Sequence, residues 1–520
     1  MSCITCRNCG FVNLLSPAPH VPQILNVIQS SDEIVGKILR GSRPLLDADH
    51  ALLDPEITNL KQLRSWYDAL LQEIELHRPT VLKGLKNRES VYAPVRRLPR
   101  DLLIKIFHFL CDSWRWDDQY QDGNGKNISE RHSLHMAGPL WVLGRVCGLW
   151  RDILHTSPAS WARYVLVESV SPVPSPGILQ TYLKHTGEHP LSLVVICDGD
   201  NLTRESEIMS LCIQLCHRWK NVRIETSLDH VHLLESVSHL PILQTFDIKI
   251  SDDFDSEYST DMCLDAPQLW QATIEHYGIH QIRLPPSITH YSGNITCEKD
   301  LQLIFQLPKL RTCQLTSKVS LDSIKVPGPV IMAELCQLFV EDLDLLDCLT
   351  APMLQSMTIS GGSSESFSCI HAFFQRSGCH LESFSIEMEI MESVSSTSIS
   401  DTFSSEACST ISYFKLGIDS DGKALISSFA SPLILPNLRH FVLCFGHHNF
   451  FRKNEWPAVL DIIRPRCEAG LLNVIEVQLV HSDRDIIADV QALVGDNLEI
   501  RLDKQRPICL NHLSAFWDSD

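Results

Sequence analysis

A short pattern, apolar-x-x-apolar-x-apolar, recurs from Trp219 onward and constrains the fold more than any other feature. The copies are Trp219-x-x-Val222-x-Ile224, Leu243-x-x-Phe246-x-Ile248, Leu269-x-x-Ala272-x-Ile274, Leu310-x-x-Cys313-x-Leu315 and Leu335-x-x-Leu338-x-Val340. They continue with Leu354-x-x-Met357-x-Ile359, Leu381-x-x-Phe384-x-Ile386, Ile411-x-x-Phe414-x-Leu416, Leu438-x-x-Phe441-x-Leu443 and Val474-x-x-Val477-x-Leu479, with Ile288-x-x-Tyr291 as a weaker copy. Successive starts lie 19 to 36 residues apart. Alternation inside each copy predicts a strand with one buried face. Pro241, Pro267, Pro308, Pro352 and Pro436 each stand two residues ahead of a copy's first Leu, at a strand entrance where proline removes no ladder hydrogen bond. Short helical runs at 208–217, 231–239, 301–306, 370–376 and 459–467 precede several copies. Such a unit buries its apolar residues only by stacking on the next, which predicts an irregular solenoid built on one parallel sheet. An ordinary α/β domain is the alternative, because the pattern is loose.

A strand plus a short helix at this period resembles a leucine-rich repeat, although the Asn/Cys ladder position is mostly missing. The residues between the apolar ones then point outward. Arg311, Gln314, Gln355, Thr358, Glu382, Ser385, Arg439 and His440 are the candidate substrate-binding residues, a mildly polar surface suited to a protein ligand. Segments 360–366 and 392–408 are Ser-rich and read as loops, and 251–261 reads as an acidic loop.

Upstream lie two amphipathic stretches. Leu98-Pro99 opens the first, in which Leu102, Leu103, Ile106, Phe107 and Leu110 recur at steps of three and four; Pro99 suits a first helical turn. In the second, Leu143, Val146, Cys147, Trp150, Ile153 and Leu154 repeat the spacing over one helix at 141–154, and Pro158-Ala159-Ser160-Trp161 follows. Between them, 111–138 is rich in Asp, Gly and Asn and reads as an exposed insert.

These residues resemble an F-box: a Leu-Pro entry, a Val146-Cys147-x-x-Trp150-Arg151-x-Ile153 helix and a Pro-x-x-Trp turn. The entry Pro94-Val95-Arg96-Arg97-Leu98-Pro99 is closest to the fungal group. The resemblance covers about an eighth of the chain. It implies docking on a Skp-type adaptor, and through it on a cullin ligase core of the SCF type, by Leu98, Pro99, Leu102, Leu103, Ile106, Phe107, Leu143, Val146, Cys147, Trp150, Ile153 and Trp161. The chain would then be a substrate receptor for ubiquitin-dependent degradation. An interaction scaffold that never joins a ligase is a second reading.

The expected organisation is a loosely ordered 1–53, a helix and linker at 54–95, an F-box-like domain at 96–167, a repeat domain at 178–503 and a tail at 504–520, an α+β to α/β chain. The helix is predicted to start at Asp54-Pro55-Glu56, to carry a seam of Leu60, Leu63, Tyr67, Leu70, Ile74 and His77, and to stop at Pro79. A Ser/Pro-rich linker is expected at 171–177.

The net charge of −19 gives no global attraction for nucleic acid. Residues 94–110 and 139–163 together carry a local +5, which suits an acidic protein partner. Nineteen thinly spread cysteines, several at apolar-periodic positions (Cys147, Cys212, Cys216, Cys313, Cys336), read as free thiols of a reducing compartment, cytoplasm or nucleus. No stretch is long and apolar enough for a membrane span. Cys3-x-x-Cys6-x-x-Cys9 offers only three equally spaced ligands, and His447-His448 reads as a surface pair, so no metal site is expected. No nucleotide, hydrolase or metalloprotease motif is present; Gly123-Asn124-Gly125-Lys126 has no strand ahead of it. Neither enzymatic activity nor a cofactor is expected.

Overall fold

The computed structural model describes residues 3–5, 12–14, 21–116, 133–168, 176–197, 201–237, 239–250, 259–276, 278–317, 328–361, 366–386, 401–418, 429, 434–445, 464–466, 471–479 and 499–504. The chain divides into two compact units, Met1–Leu103 and Ile104–Asp520.

In the first unit β1 (Cys3–Thr5) and β2 (Val12–Leu14) pair antiparallel. Helix α1 (Val21–Leu39) ends in a Schellman turn: Gly41, at φ 70°, donates to Ile38 O, and Ser42 N donates to Lys37 O. Helix α2 (Asp47–Val91) begins seven residues before the Asp54 signal. Asp49 explains the earlier start, since its carboxylate accepts from Leu46 N at 3.0 Å and from Arg43 Nη2 at 2.7 Å. Ser31 of α1 donates to Glu56 of α2. The helix runs through Pro55 and Pro79; residues 71–83 are all exposed, so packing does not account for its passage through Pro79. Thus 21–53 is largely helical rather than loosely ordered, and 80–91 extends α2 instead of linking. Of the expected seam, Leu63 is buried and Leu70 half-buried, whereas Leu60, Tyr67, Ile74 and His77 are exposed.

The second unit contains most of α3 (Arg100–Trp116), then α4 (Pro139–Val146), α5 (Gly148–His155) and α6 (Pro158–Ala162). A mixed helix-and-strand α/β region follows, organised by a parallel sheet with 14 strands among the described residues. Its strands are β3 (Val165–Glu168), β4 (Leu191–Ile196), β5 (Trp219–Thr226), β6 (Thr245–Ile250), β7 (Gln271–Glu275), β8 (His290–Ile295) and β9 (Thr312–Ser317). They continue as β11 (Gln337–Val340), β13 (Ser356–Ile359), β14 (Ser383–Ile386), β15 (Tyr413–Ile418), β16 (His440–Phe445), β17 (Val474–Leu479) and β18 (Glu499–Lys504). Two short strands, β10 (Val330–Ile331) and β12 (Leu349–Thr350), form a separate parallel pair. Between strands in sequence lie α7 (Pro176–His185), α8 (Leu202–Ile213), α9 (Leu228–Leu234), α10 (Glu298–Ile304) and α11 (Ser366–Ser377). Spatial order in the sheet equals chain order throughout.

The register places equivalent residues of successive strands side by side. One inward row reads Val165, Leu193, Val222, Phe246, Ala272, Tyr291, Cys313, Leu338, Met357, Phe384, Phe414, Phe441 and Ile475. None of these is more than 3% exposed. Phe384, Phe414 and Phe441 form an aromatic ladder with centroids 6.0 and 5.8 Å apart, joined by Phe403 and Phe429. Ahead of the strands the chain makes recurring turns, Leu243 N to Leu240 O, Leu269 N to Ala266 O, Leu354 N to Ala351 O and Leu438 N to Leu435 O. Pro241, Pro267, Pro352 and Pro436 therefore occupy the second position of a β-turn, where their fixed φ is pre-set, rather than the strand entrance.

Three arginines bridge the segments that lead into successive strands. Arg218 donates to His189 O and Thr186 O, Arg376 to Leu346 O and Leu349 O, and Arg466 to Leu435 O, Ile434 O and Phe429 O. Arg466 is 1% and Arg218 5% exposed, and burial lowers the affinity of both guanidinium groups for their proton.

The leading edge of the sheet is covered. Ser133 N donates to Leu166 O at 2.9 Å, and Leu166 N donates to Ser133 Oγ at 2.9 Å. Trp141 Nε1 holds Ser133 O at 2.9 Å, and Leu134 is buried. These contacts occupy ladder groups of an edge strand that would otherwise be open to pairing. The exposed-insert expectation thus fails at both ends of 111–138, because 111–116 continues α3 and 133–134 pack; 117–132 lie outside the described residues.

Other boundaries move as well. The sheet begins at Val165, inside the expected 96–167 domain, and the unit division falls at Leu103/Ile104. The expected 171–177 linker has Pro176 and Gly177 in α7, its remainder lying outside the described residues. The expected helix at 141–154 is two helices, broken at Cys147, whose φ −161° and ψ 167° are fully extended. The last repeat copy is shifted by two residues: Leu472, Ile475 and Val477 take the register positions, not Val474, Val477 and Leu479. The end of the Ser-rich 392–408 stretch packs through Phe403 and Cys408. No helix among the described residues is long and apolar enough to cross a membrane.

Phe414 touches four aromatic neighbours of the inward row and its surroundings. Phe414→Ala is expected to cost about 3–5 kcal/mol, read as a lower urea midpoint, whereas Arg311→Glu with Arg439→Glu should change it by no more than about 0.5 kcal/mol per site.

Candidate functional site

Two surfaces emerge, and the first lies on the short helices. In α3, Leu103 (1% exposed) and Phe107 (0%) share an inward face, while Leu102, Ile106, Phe109 and Leu110 are exposed. Phe107 packs on Trp150 of α5 with centroids 5.0 Å apart, and His108 Nε2 meets Ser160 Oγ at 2.9 Å. Arg151 Nε donates to Gly144 O at 3.0 Å, closing the C-terminal end of α4 across the Cys147 break. Trp161 Nε1 donates to Leu154 O at 3.1 Å, and the Trp161 ring lies between Trp141, Tyr182 and His185. Burial pushes the Tyr182 phenol above its ordinary range.

The predicted adaptor set therefore separates into two groups. Leu103, Phe107, Leu143, Ile153 and Trp161 are buried, so their apolar surface is used within the fold and is not offered to a partner. Leu102, Ile106, Val146 and Pro99 are exposed; Leu98, Cys147 and Trp150 are half-buried. Sequence reasoning missed the exposed apolar residues Phe109, Met136, Val142 and Leu149, and it placed exposed Leu110 on the apolar stripe without including it in the adaptor set. Steps of three and four mark apolar positions, but a helix carrying two apolar faces leaves open which one turns inward.

The second surface is the outward side of the sheet. The residues that open the strands form one row, in which Arg311, Cys336, Gln355, Glu382, Ser412 and Arg439 follow one another: each carbonyl in turn accepts the next strand's N–H. Arg311, Gln355, Glu382 and Arg439 are thus brought into a single exposed line. Gln314, Phe339, Thr358, Ser385 and Lys415 are cross-strand neighbours in a parallel row, so Gln314, Thr358 and Ser385 are also gathered. Gln314 and Ser385 are each only 8% exposed, less open than an outward position suggests. His440 lies in a third row beside Tyr413, 4.9 Å between ring centroids. Toward β5–β7 the outward rows are charged: Arg223 bridges Glu225 at 2.6 Å and Asp247 at 3.4 Å, and Lys249 approaches Glu225 at 3.8 Å.

Among the described residues, one cluster has metal-ligating chemistry. His280, Cys297 and Asp300 present ligand atoms within 4.8 Å of one another. Asp300 Oδ1 accepts from His280 N at 2.9 Å and from His280 Nδ1 at 2.7 Å; Oδ2 accepts from Thr296 N, Thr296 Oγ1 and Cys297 N. Burial pushes the Asp300 carboxyl upward, but the hydrogen bonds from His280 and Thr296 outweigh it and hold it below its usual range. Both Asp300 and Cys297 address the same imidazole nitrogen, so this is no nucleophile–base–acid relay, which needs the two opposite ring nitrogens. Spacings of 17 and 3 residues give no sequence signature for the group. Cys6, Cys9 and His447-His448 lie outside the described residues.

Compared with protein-family models and with curated proteins, the chain matches none.

Burial pushes the Asp247 carboxyl up to about 6; Arg223 draws it down, and Glu275 and Glu225 raise it further. The folded protein therefore binds this proton more tightly than the unfolded chain does. The resulting stabilisation is complete below the ordinary Asp range and is lost as pH rises toward about 6. Asp247→Asn should remove this part of the decline in melting temperature between about pH 4 and pH 6.

Proposed function

We propose that the chain is an F-box substrate receptor, which docks a Skp-type adaptor through its short helices and so joins a cullin-based, SCF-type ubiquitin ligase. Its parallel sheet would be a leucine-rich-repeat-like solenoid holding a protein substrate on the outward rows. The observation that carries the reading is the Leu98-Pro99 entry combined with the Val146-Cys147-x-x-Trp150-Arg151-x-Ile153 motif, on helices that expose apolar residues while a second apolar face is already buried. Exposed Ile106, Phe109, Leu110, Val142 and Val146 are what a protein partner would cover. The positive local charge of the same segments complements an acidic adaptor. Strand order equal to chain order supports the solenoid reading, because each repeat then stacks only on its neighbours. No bond is made or broken by the chain in this role. It raises the effective concentration of substrate beside the ligase.

Deleting the helices is a poor test, since Ser133, Leu134 and Trp141 support the sheet edge. Point substitutions at exposed positions leave that support intact. Ile106→Asp with Val146→Asp should reduce co-purification of a Skp-type adaptor at least tenfold, and Arg311→Glu with Arg439→Glu should leave it unchanged. Undiminished adaptor recovery with the first pair would remove the adaptor-docking part of the proposal.

A further inference from the structure

We infer that His280, Cys297 and Asp300 form a zinc site, with water completing a tetrahedron. Zinc bonds of about 2.3 Å to sulfur and 2.0–2.1 Å to nitrogen or oxygen place tetrahedral ligand atoms roughly 3.3–3.6 Å apart. Cys297 Sγ already lies 3.5 Å from His280 Nδ1, and the ligand atoms of all three residues lie within 4.8 Å of one another. His280 Nδ1 and Asp300 Oδ1 are 2.7 Å apart, and a metal between them needs that edge to open by about 0.6 Å.

The surroundings bear on an ion in several ways. Asp300 is fully buried, and its Oδ2 is fixed by Thr296 N, Thr296 Oγ1 and Cys297 N, which is how outer partners orient a ligating carboxylate. Gly278 permits the approach: a Cβ there would stand 2.2 Å from Asp300 Oδ1. Cys297 occupies the N-cap of α10 and forms a capping box with Asp300, whose Oδ2 accepts from Cys297 N at 3.1 Å; Ser, Thr, Asn or Asp is the more usual residue there. His280 and Cys297 are half-buried, which leaves a path for the ion and for the fourth ligand.

Zinc is held through an unprotonated imidazole nitrogen and a thiolate, so the Cys297 thiol gives its proton to solvent as the ion binds. The ion would tie the loop carrying His280, between β7 and β8, to the start of α10.

The test uses the full-length protein in a background of Cys3→Ser, Cys6→Ser and Cys9→Ser, which removes the N-terminal thiols as competing ligands. Titration with Co2+ should give a thiolate-to-cobalt charge-transfer band and tetrahedral visible bands that saturate at one equivalent and bleach on adding Zn2+. Cys297→Ser should abolish the charge-transfer band. Serine is itself a favoured N-cap, so circular dichroism and melting should stay near the parent's. His280→Ala should weaken Co2+ binding at least tenfold. Absence of the band in the parent, its survival in Cys297→Ser, or unchanged affinity in His280→Ala would each overturn the site.

Discussion

The structure depends on the register of one parallel hydrogen-bonded ladder. Side chains alternate across a strand, so a slip of one residue anywhere would send Phe384, Phe414 or Phe441 outward and bring Ser385 or Lys415 into the core. Two features fix the register. The turns that end at Leu243, Leu269, Leu354 and Leu438 set the point at which each strand enters, and the leading Leu of each copy is buried beneath it. The same constraint aligns the outward residues, so that Arg311, Gln355, Glu382 and Arg439 share a row although 128 residues separate the first from the last.

Most of the strands were legible because each copy ties three buried positions to fixed offsets. Where the tie loosens, the reading slips. Val474, Ile475 and Val477 are all apolar, so two registers fit the letters, and only burial of Leu472 and Ile475 selects one. Strands β3 and β4 lack the leading Leu-x-x and so escaped the pattern. The outward rows were legible for the same reason as the strands. The helical surface was not: Leu102 and Leu103 are adjacent and equally apolar, yet one is 45% exposed and the other 1%. Cys147 illustrates a further limit, since its extended backbone divides an apparently continuous periodicity. His280, Cys297 and Asp300 meet only because β8 and α10 bring separate segments together.

Arg218, Arg376 and Arg466 show how backbone carbonyls ahead of one strand are satisfied from the segment leading into the next. Each guanidinium serves carbonyls that precede the neighbouring, earlier strand. Five donors in a rigid fork can satisfy several carbonyls at once, which a lysine ammonium of similar length cannot reproduce with the same geometry. The arrangement keeps backbone groups paired at turns whose own ladder has ended.

Strand order equal to chain order also has a temporal consequence. A strand emerging during synthesis finds its partner already formed on its N-terminal side, beginning from a β3 edge held by Ser133. Among the described strands of the large sheet, none has to wait for a later one to be inserted between itself and its predecessor. Such a chain can mature in the direction of translation, with the helical segment as its first foothold. Premature termination would then leave a shorter stack bearing one raw edge, whereas loss of the beginning removes the template on which everything after it is laid.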